Sequence, residues 1–407
     1  MTRLRDLGDW RGGNTPPKAN AAYWTDGTVP WVSPKDMKVD EITSSEDRVS
    51  EAALKEGRVS LVPAGSVLVV TRSGILSHTL PVAVTKTQVT INQDLKALTP
   101  KPDVSPKYVA HALRGASRRI LRECSKHGTT VASVETSALL DFEIPLVDLD
   151  EQRRIVAELE KQFSRLDKAV ANLKRVKANL KRYKATVLEA AVTGRTGARS
   201  ALDVDELPAG WQWSYVGEIA LVGTGATPAR SNEAFWRGGT IPWITSSAVN
   251  ERFVDAADQF VTDEALRQTN LTLYPRGTLL VAMYGEGKTR GKCSELRIAA
   301  TTNQALAALQ ADSAVRPWLT LFLEHNYDNT RRIASGGVQP NLNLGLIRAI
   351  RLPLPPVEER DRIVAEVDRR LSIVREVAAE VDANLKRAQA LRQAALAKAF
   401  RGGGLEM

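Results

Sequence analysis

Hydrophobic and polar positions follow two styles along this chain, and each style occurs twice. Residues 1–148 and 208–356 carry short apolar, β-branched runs such as Val67-Leu68-Val69-Val70 and Leu279-Leu280-Val281, set between turns rich in Gly, Pro and Thr. Such runs read as strands, so each stretch is predicted to be a mixed α/β domain with a strand-rich core. Each is followed by a stretch free of Gly and Pro, roughly 151–192 and 359–401, dominated by Ala, Leu, Glu, Lys and Arg. Those are predicted to be long helices.

The helices carry heptads. In the first, Leu159, Leu166, Leu173, Leu180 and Val187 fall seven apart, with Gln162, Ala169, Val176, Tyr183 and Ala190 as the neighbouring row at i+3. In the second, Val367, Val374, Val381, Ala388 and Ala395 are flanked at i+4 by Leu371, Ala378, Leu385 and, breaking the apolar pattern, Arg392. Such seams suit an antiparallel pair in cis; homodimerisation through one seam is the other arrangement they allow. Asp148 with Glu151 suits a capping box and Gly194 a stop, while Pro355-Pro356 precedes the second helix and Gly402-Gly403-Gly404 follows it.

The duplication reaches residue level, which makes the architecture a pseudo-two-fold internal repeat. Gly13-Asn14-Thr15-Pro16 matches Gly225-Ala226-Thr227-Pro228, and Thr28-Val29-Pro30-Trp31-Val32 matches Thr240-Ile241-Pro242-Trp243-Ile244, both at an offset of 212. Asn92-Gln93 meets Asn303-Gln304 at 211, and Arg154-Ile155-Val156-Ala157-Glu158 is identical to Arg362-Ile363-Val364-Ala365-Glu366 at 208. The expected division is a first domain at 1–148, a spacer helix at 149–194, a linker at 195–207, a second domain at 208–356, a second helix at 357–402 and a tail at 403–407.

Composition narrows the class. With 43% hydrophobic and 25% charged residues and no apolar run long enough to span a bilayer, the chain reads as globular, without a membrane partner. Two distant cysteines, Cys124 and Cys293, give no disulfide framework or zinc spacing, and the N-terminus lacks an apolar signal core, so a cytoplasmic setting is expected. The net charge of +9 is unevenly spread: +1 over 1–150, +8 over 151–200, −2 over 201–358 and +2 over 359–407. Seven cations, Lys168, Lys174, Arg175, Lys177, Lys181, Arg182 and Lys184, occur without an intervening acid, which suits contact with a polyanion or an acidic partner as well as a solvated face.

Candidate chemistry is sparse. Ala282-Met283-Tyr284-Gly285-Glu286-Gly287-Lys288-Thr289 satisfies a relaxed phosphate-loop spelling, yet its opening Gly is missing and the first repeat has Val70-Thr71-Arg72-Ser73-Gly74 in its place. With Arg290 and Lys292, the same loop offers three cations on a flexible backbone, as a DNA-contacting loop would. The polar loop Ser125-Lys126-His127-Gly128-Thr129-Thr130 and its counterpart Ser335-Gly336-Gly337-Val338-Gln339-Pro340-Asn341 offer amide, hydroxyl and cationic groups suited to base edges, or turn residues satisfying their own backbone. The candidate DNA contacts are therefore Lys35, Arg72, Ser73, Lys126, His127, Thr129, Tyr284, Lys288, Thr289, Arg290, Lys292, Gln339 and Asn341. Along the first helix Lys174, Arg175, Lys177, Lys181, Arg182 and Lys184 are candidates for DNA or partner contact. No catalytic or metal residues are expected. Trp24, Trp31, Trp236 and Trp243 read as core anchors rather than stacking platforms, and His78, His111 and His325 as structural or surface residues. Asn14-Thr15-Pro16-Pro17 departs from the Asn-Pro-Pro-aromatic motif of amino-methyltransferases.

Two such domains, each followed by a near-duplicated helix, resemble the specificity subunit of type I restriction-modification systems over essentially the whole chain. The residues that carry the resemblance are Leu207-Pro208-Ala209-Gly210-Trp211-Gln212-Trp213, the passages Ile144-Pro145-Leu146 to Val156 and Leu352-Pro353-Leu354 to Arg360, and Ala399-Phe400-Arg401-Gly402. The first repeat lacks the Leu-Pro-x-Gly-Trp opening, so its first strand is expected to be short. The resemblance implies a non-enzymatic DNA reader whose two target recognition domains each take one half of a split, asymmetric site in double-stranded DNA. It also implies that the helices set the spacing and dock two methyltransferase subunits. No cofactor is implied in this chain; partner subunits would bring S-adenosylmethionine, and a restriction/translocase subunit ATP and Mg. The alternatives are a nucleotide-dependent enzyme built on the Lys288 loop, the specificity subunit of a methylation-only system, and a coiled-coil scaffold without DNA affinity.

Overall fold

The computed structural model describes residues 1–126, 131–194, 207–285, 289–333 and 341–400. The chain forms two compact units, Met1–Lys174 with Asp382–Met407, and Arg175–Val381. The first division falls inside Ala171–Lys177, the earlier of two near-identical heptads.

Unit 1 contains β1 (Thr2–Arg3), β2 (Gly8–Gly12), β3 (Val29–Val32), β4 (Glu41–Ile42), β5 (Asp47–Val49), β6 (Val67–Val70), β7 (Val82–Thr85), β8 (Thr90–Ile91), β9 (Leu95–Pro100) and β10 (Glu143–Ile144). Its helices are α1 (Glu51–Lys55), α2 (Pro106–Gly115), α3 (Ser117–Glu123), α4 (Thr136–Asp141) and the first part of α5 (Leu149–Thr193). A five-stranded sheet runs β2-β9-β6-β7-β4, a three-stranded sheet β5-β3-β8, and β1 pairs with β10. The central strand β6 is buried on both faces, which is why its sequence is a continuous apolar run rather than an alternation.

Unit 2 repeats this plan with β11 (Gln212–Tyr215), β12 (Ala220–Thr224), β13 (Ile241–Ile244), β14 (Phe253–Val254), β15 (Gln259–Val261), β16 (Leu279–Ala282), β17 (Cys293–Leu296), β18 (Thr301–Thr302), β19 (Leu306–Ala311) and β20 (Arg351–Leu354). Its helices are the last part of α5, α6 (Val216–Ile219), α7 (Asp263–Gln268), α8 (Arg316–His325), α9 (Tyr327–Ile333), α10 (Leu344–Arg348) and the first part of α11 (Val357–Ala399), up to Val381. The sheet orders are β12-β19-β16-β17-β14 and β15-β13-β18, with β11 on β20. Even register is kept: Trp31 lies opposite Thr90 and Trp243 opposite Thr301 in the parallel pairs β3/β8 and β13/β18. As the missing opening motif predicts, β1 has 2 residues against 4 in β11.

The repeated Gly-x-Thr-Pro turn is held by the same glycine and tryptophan contacts in both units. A Cβ at Gly13 or Gly225 would overlap the carbonyl oxygen of Ile91 or Thr302, so only glycine permits the approach. Trp31 Nε1 donates to the Asn14 carbonyl and Trp243 Nε1 to that of Ala226, both at 3.0 Å, and each Trp meets Trp24 or Trp236 edge-on at 5.1 Å. The four tryptophans are anchors, as their apolar neighbours suggest.

The long helices have 45 and 43 residues. Asp148 accepts from the Glu151 amide at 2.9 Å, the Glu151 carboxylate turns to Arg154 instead of closing the capping box, and Gly194 ends α5 at φ +64°. In unit 1 the first half of α5 packs on the end of α11 through Ile155, Leu159, Phe163 and Leu396. In unit 2 Val187, Leu188 and Ala191 of α5 pack with Val367 and Leu371 near the start of α11. The helices thus pair in cis and run in opposite directions.

The α11 seam is the one its sequence predicts, but the second row of α5 is not. Val176 and Tyr183 of the i+3 row are exposed, whereas Phe163 and Ala191 of the i+4 row are buried. A Leu row has an apolar partner three residues away on one side and four on the other; spacing alone leaves that choice open, and packing against α11 selects i+4.

Candidate nucleic-acid interface

In unit 1 three segments separated in sequence are laced together where β6 ends. The amides of Thr71 and Arg72 donate to the Asp94 carbonyl at 2.8 and 3.2 Å, the Val134 amide donates to the Thr71 carbonyl at 2.8 Å, and the Ser73 amide to that of Ala132 at 3.0 Å. The Lys126 amide donates to the Ser133 carbonyl at 2.9 Å, closing the polar loop beside them. Arg72 and Lys126 therefore share one edge. The Arg72 side chain is exposed and has no hydrogen-bond or ion-pair partner among the described residues, while Ser73 caps the following turn. Lys126 is paired with Glu135 at 2.9 Å.

Unit 2 uses the same scaffold. Met283 donates to the Ala305 carbonyl at 2.8 Å and Leu342 to the Met283 carbonyl at 3.1 Å, the counterparts of the Thr71–Asp94 and Val134–Thr71 bonds. Exposed Asn341 is thereby brought beside exposed Tyr284. The returning strand of the loop is fixed by Gly291, whose amide donates to Ala282 at 2.8 Å and whose φ of +83° favours glycine. Half-buried Thr289 accepts from the Lys292 amide, the Arg290 carbonyl accepts from Arg331, and Lys292 Nζ donates to Asn250 Oδ1 at 2.8 Å. His127, Thr129, Lys288 and Gln339 lie outside the described residues.

The phosphate-loop alternative fails on topology. Thr289 leads into β17, which returns antiparallel to β16 with Val281 opposite Cys293, whereas a phosphate cradle needs a helix N-terminus after the loop. Among the described residues no group of three His, Cys, Asp or Glu side chains could hold a metal ion.

Several candidate cations are already engaged. Lys35 bridges Asp47 at 2.9 Å and Glu46 at 3.2 Å, and hydrogen bonding to Asp47 raises its pKa. On α5, Lys184 reaches Glu324 at 2.5 Å and Arg182 bonds Asn179 at 2.6 Å; Arg175 and Lys177 also have partners. Lys174 and Lys181 are exposed.

Sequence reasoning missed one feature of this surface. The Thr15 hydroxyl donates to Gln93 Oε1, and the Thr227 hydroxyl donates to Gln304 Oε1 at 2.6 Å. Both glutamines are exposed, and each adjoins the turn residue, Asp94 or Ala305, that anchors the loop of its unit. The signal was present, since Gly-x-Thr-Pro and Asn-Gln both recur, but nothing in the spacing joins them.

The family model of the type I restriction modification DNA specificity domain matches residues 1–182 and again 208–376. The chain belongs to the type I restriction-modification DNA specificity family. Among its relatives in that family, the Escherichia coli EcoR124I/EcoR124II specificity subunit is 41% identical over 158 residues, 39% of this chain and 39% of that subunit's own length. The Methanocaldococcus jannaschii MjaIX specificity subunit is 24% identical over 317 residues, 76% of this chain and 72% of that one. A chain from a solved type I R-M system superposes with a TM-score of 0.78 at 21% identity, covering 98% of this chain and 97% of that one. The HsdS subunit of Thermoanaerobacter tengcongensis gives 0.55 at 21% identity, covering 98% and 96%. At those identities the structures speak for the fold, and the family for a DNA specificity domain present twice.

Proposed function

We propose that this chain reads a bipartite, asymmetric site in double-stranded DNA and docks two methyltransferase subunits that modify it. The observation that carries this is one scaffold used twice, with equivalent backbone bonds presenting Arg72-Ser73 in one unit and Tyr284-Gly285 in the other. Equal frames with unequal loops suit two different half-sites, because base edges are read by particular side chains. The partners supply S-adenosylmethionine, and a restriction/translocase subunit supplies ATP and Mg. The exposed cations Lys174 and Lys181 of α5 face intervening DNA or those partners.

Methylome sequencing of a host carrying the gene tests the reading. Two unequal half-sites with a fixed gap are expected; a contiguous or palindromic motif refutes it. A variant with a third copy of the heptad Ala171–Lys177 lengthens α5 by about 10 Å, roughly three base pairs, and should widen the gap while leaving both half-sites unchanged. Altered half-sites would show that the helices are not the spacer.

A further inference from the structure

The two units differ where their loops are expected to meet bases, yet they share one exposed polar pair beside those loops. Thr15 with Gln93 and Thr227 with Gln304 have the same donor, the same acceptor and the same place in the register. We propose that each pair holds a backbone phosphate of its half-site. This rests on the DNA-recognition reading above and adds to it a sequence-independent contact common to both units.

Three observations carry the proposal. First, both pairs are built on rigid supports. Gly13 and Gly225 press their backbone against Ile91 and Thr302, Pro16 and Pro228 are buried, and Asn14 donates to the Ile91 carbonyl at 3.0 Å. The hydroxyl-to-amide bond then fixes the rotation of an otherwise mobile glutamine.

Second, that bond orients the amide and occupies part of its acceptor capacity. Bidentate recognition of adenine uses the amide oxygen as acceptor and the amide nitrogen as donor together. Here one lone pair of Oε1 is taken by the threonine hydroxyl, and the Nε2 hydrogens make no hydrogen bond to a described residue. An unengaged donor on an exposed surface suits a phosphate oxygen, and glutamine is among the side chains that bond phosphates and fix register without reading sequence.

Third, a cation follows each threonine at the same interval, Lys18 in one unit and Arg230 in the other. Arg230 is held by Gln259 Oε1 at 2.7 Å and lies 3.8 Å over the Trp236 ring, so its charge is held in place three residues after Thr227. Both domains are nearly neutral, +1 over 1–150 and −2 over 201–358, so attraction to phosphate there depends on individually placed groups.

The test uses the full chain assembled with its methyltransferase subunit and a duplex carrying the motif found by methylome sequencing. Gln93→Ala and Gln304→Ala should each weaken equilibrium binding about ten-fold, as expected for a hydrogen bond to a charged group, with the methylated motif unchanged. Replacing single phosphates by neutral methylphosphonates should reveal one position in each half-site where the unsubstituted complex loses a similar factor and the matching variant loses nothing further. Gln93→Glu, which keeps the size and the threonine bond but adds a repelling charge, should bind more weakly than Gln93→Ala at low salt. Unchanged affinity in the alanine variants, or Gln93→Glu binding as well as the unsubstituted chain, overturns the proposal. A shift in the bases selected overturns it in favour of base reading. If the unsubstituted complex shows no sequence-selective binding, the DNA-recognition reading itself falls, an outcome the variants cannot mimic.

Discussion

His111 gives unit 1 an acid-sensitive point whose size follows from its surroundings. It sits on α2 with 6% of its surface exposed, edge-on to Phe163 of α5 at 5.6 Å, and its buried Nδ1 has no hydrogen-bond partner among the described residues. It lines a cavity of about 720 Å³ together with Asp40, Lys107, Arg114, Glu160 and Arg392. Burial, aided by the Arg114 charge, lowers the imidazole pKa from 6.5 to about 4, against a smaller opposing pull from Asp40 and Glu160. The folded state therefore keeps His111 neutral over a range in which the unfolded chain protonates it. Unfolding takes up a proton between about pH 6.5 and 4, so stability rises with pH there and is lost on acidification. Between pH 7 and pH 5 this one group should cost about 2 kcal/mol, or about 4–8 °C in the melting of a unit of this size. Calorimetry of the unsubstituted chain and of His111→Leu at both pH values isolates the term, because titrating carboxylates contribute equally to both. His111→Leu should lose about 2 kcal/mol less on acidification. Equal losses would show that the folded protein accommodates the imidazolium and would refute the reasoning.

Other predictions address the seam, the shared turn and the reading loop. Arg392 interrupts the α11 heptad because it bridges Asp167 at 2.9 Å and Asp40 at 3.1 Å and lies 4.5 Å over the Phe163 ring. Its contacts are half-exposed, so Arg392→Ala should cost about 1–3 kcal/mol in thermal unfolding at low salt and less in 1 M salt; a salt-independent loss would assign its role to packing. Gly225→Ala must displace the Thr302 backbone and should destabilise unit 2 by about 1–3 kcal/mol in denaturant unfolding; a variant as stable as the parent would mean the turn has room to shift. Arg72→Ala should weaken binding by about 1–3 kcal/mol and relax one base of the half-site read by unit 1, leaving the other half-site intact in methylome data; relaxation in both halves would contradict the division of reading between the units.

Much of this protein is determined by sequence alone. Helices without Gly or Pro, with a heptad period, form wherever they find one apolar partner, so α5 and α11 were legible to within two residues at most ends. Buried strands announce themselves by continuous runs such as Val67–Val70, and the short β1 follows from a missing opening motif. What tertiary structure alone decided are questions of partnership. Spacing could not say whether Val176 or Phe163 flanks the seam, because both satisfy a heptad and only the packed partner distinguishes i+3 from i+4. Nor could a count of charges show that Lys35, Lys126 and Lys184 are paired while Arg72 is exposed without a partner among the described residues. The Thr–Gln pairs are the clearest case. Their members lie 78 and 77 residues apart, and they meet only when β8 and β18 set the Asn-Gln turn against the Gly-x-Thr-Pro turn, a contact that the folded sheet makes and local sequence cannot encode.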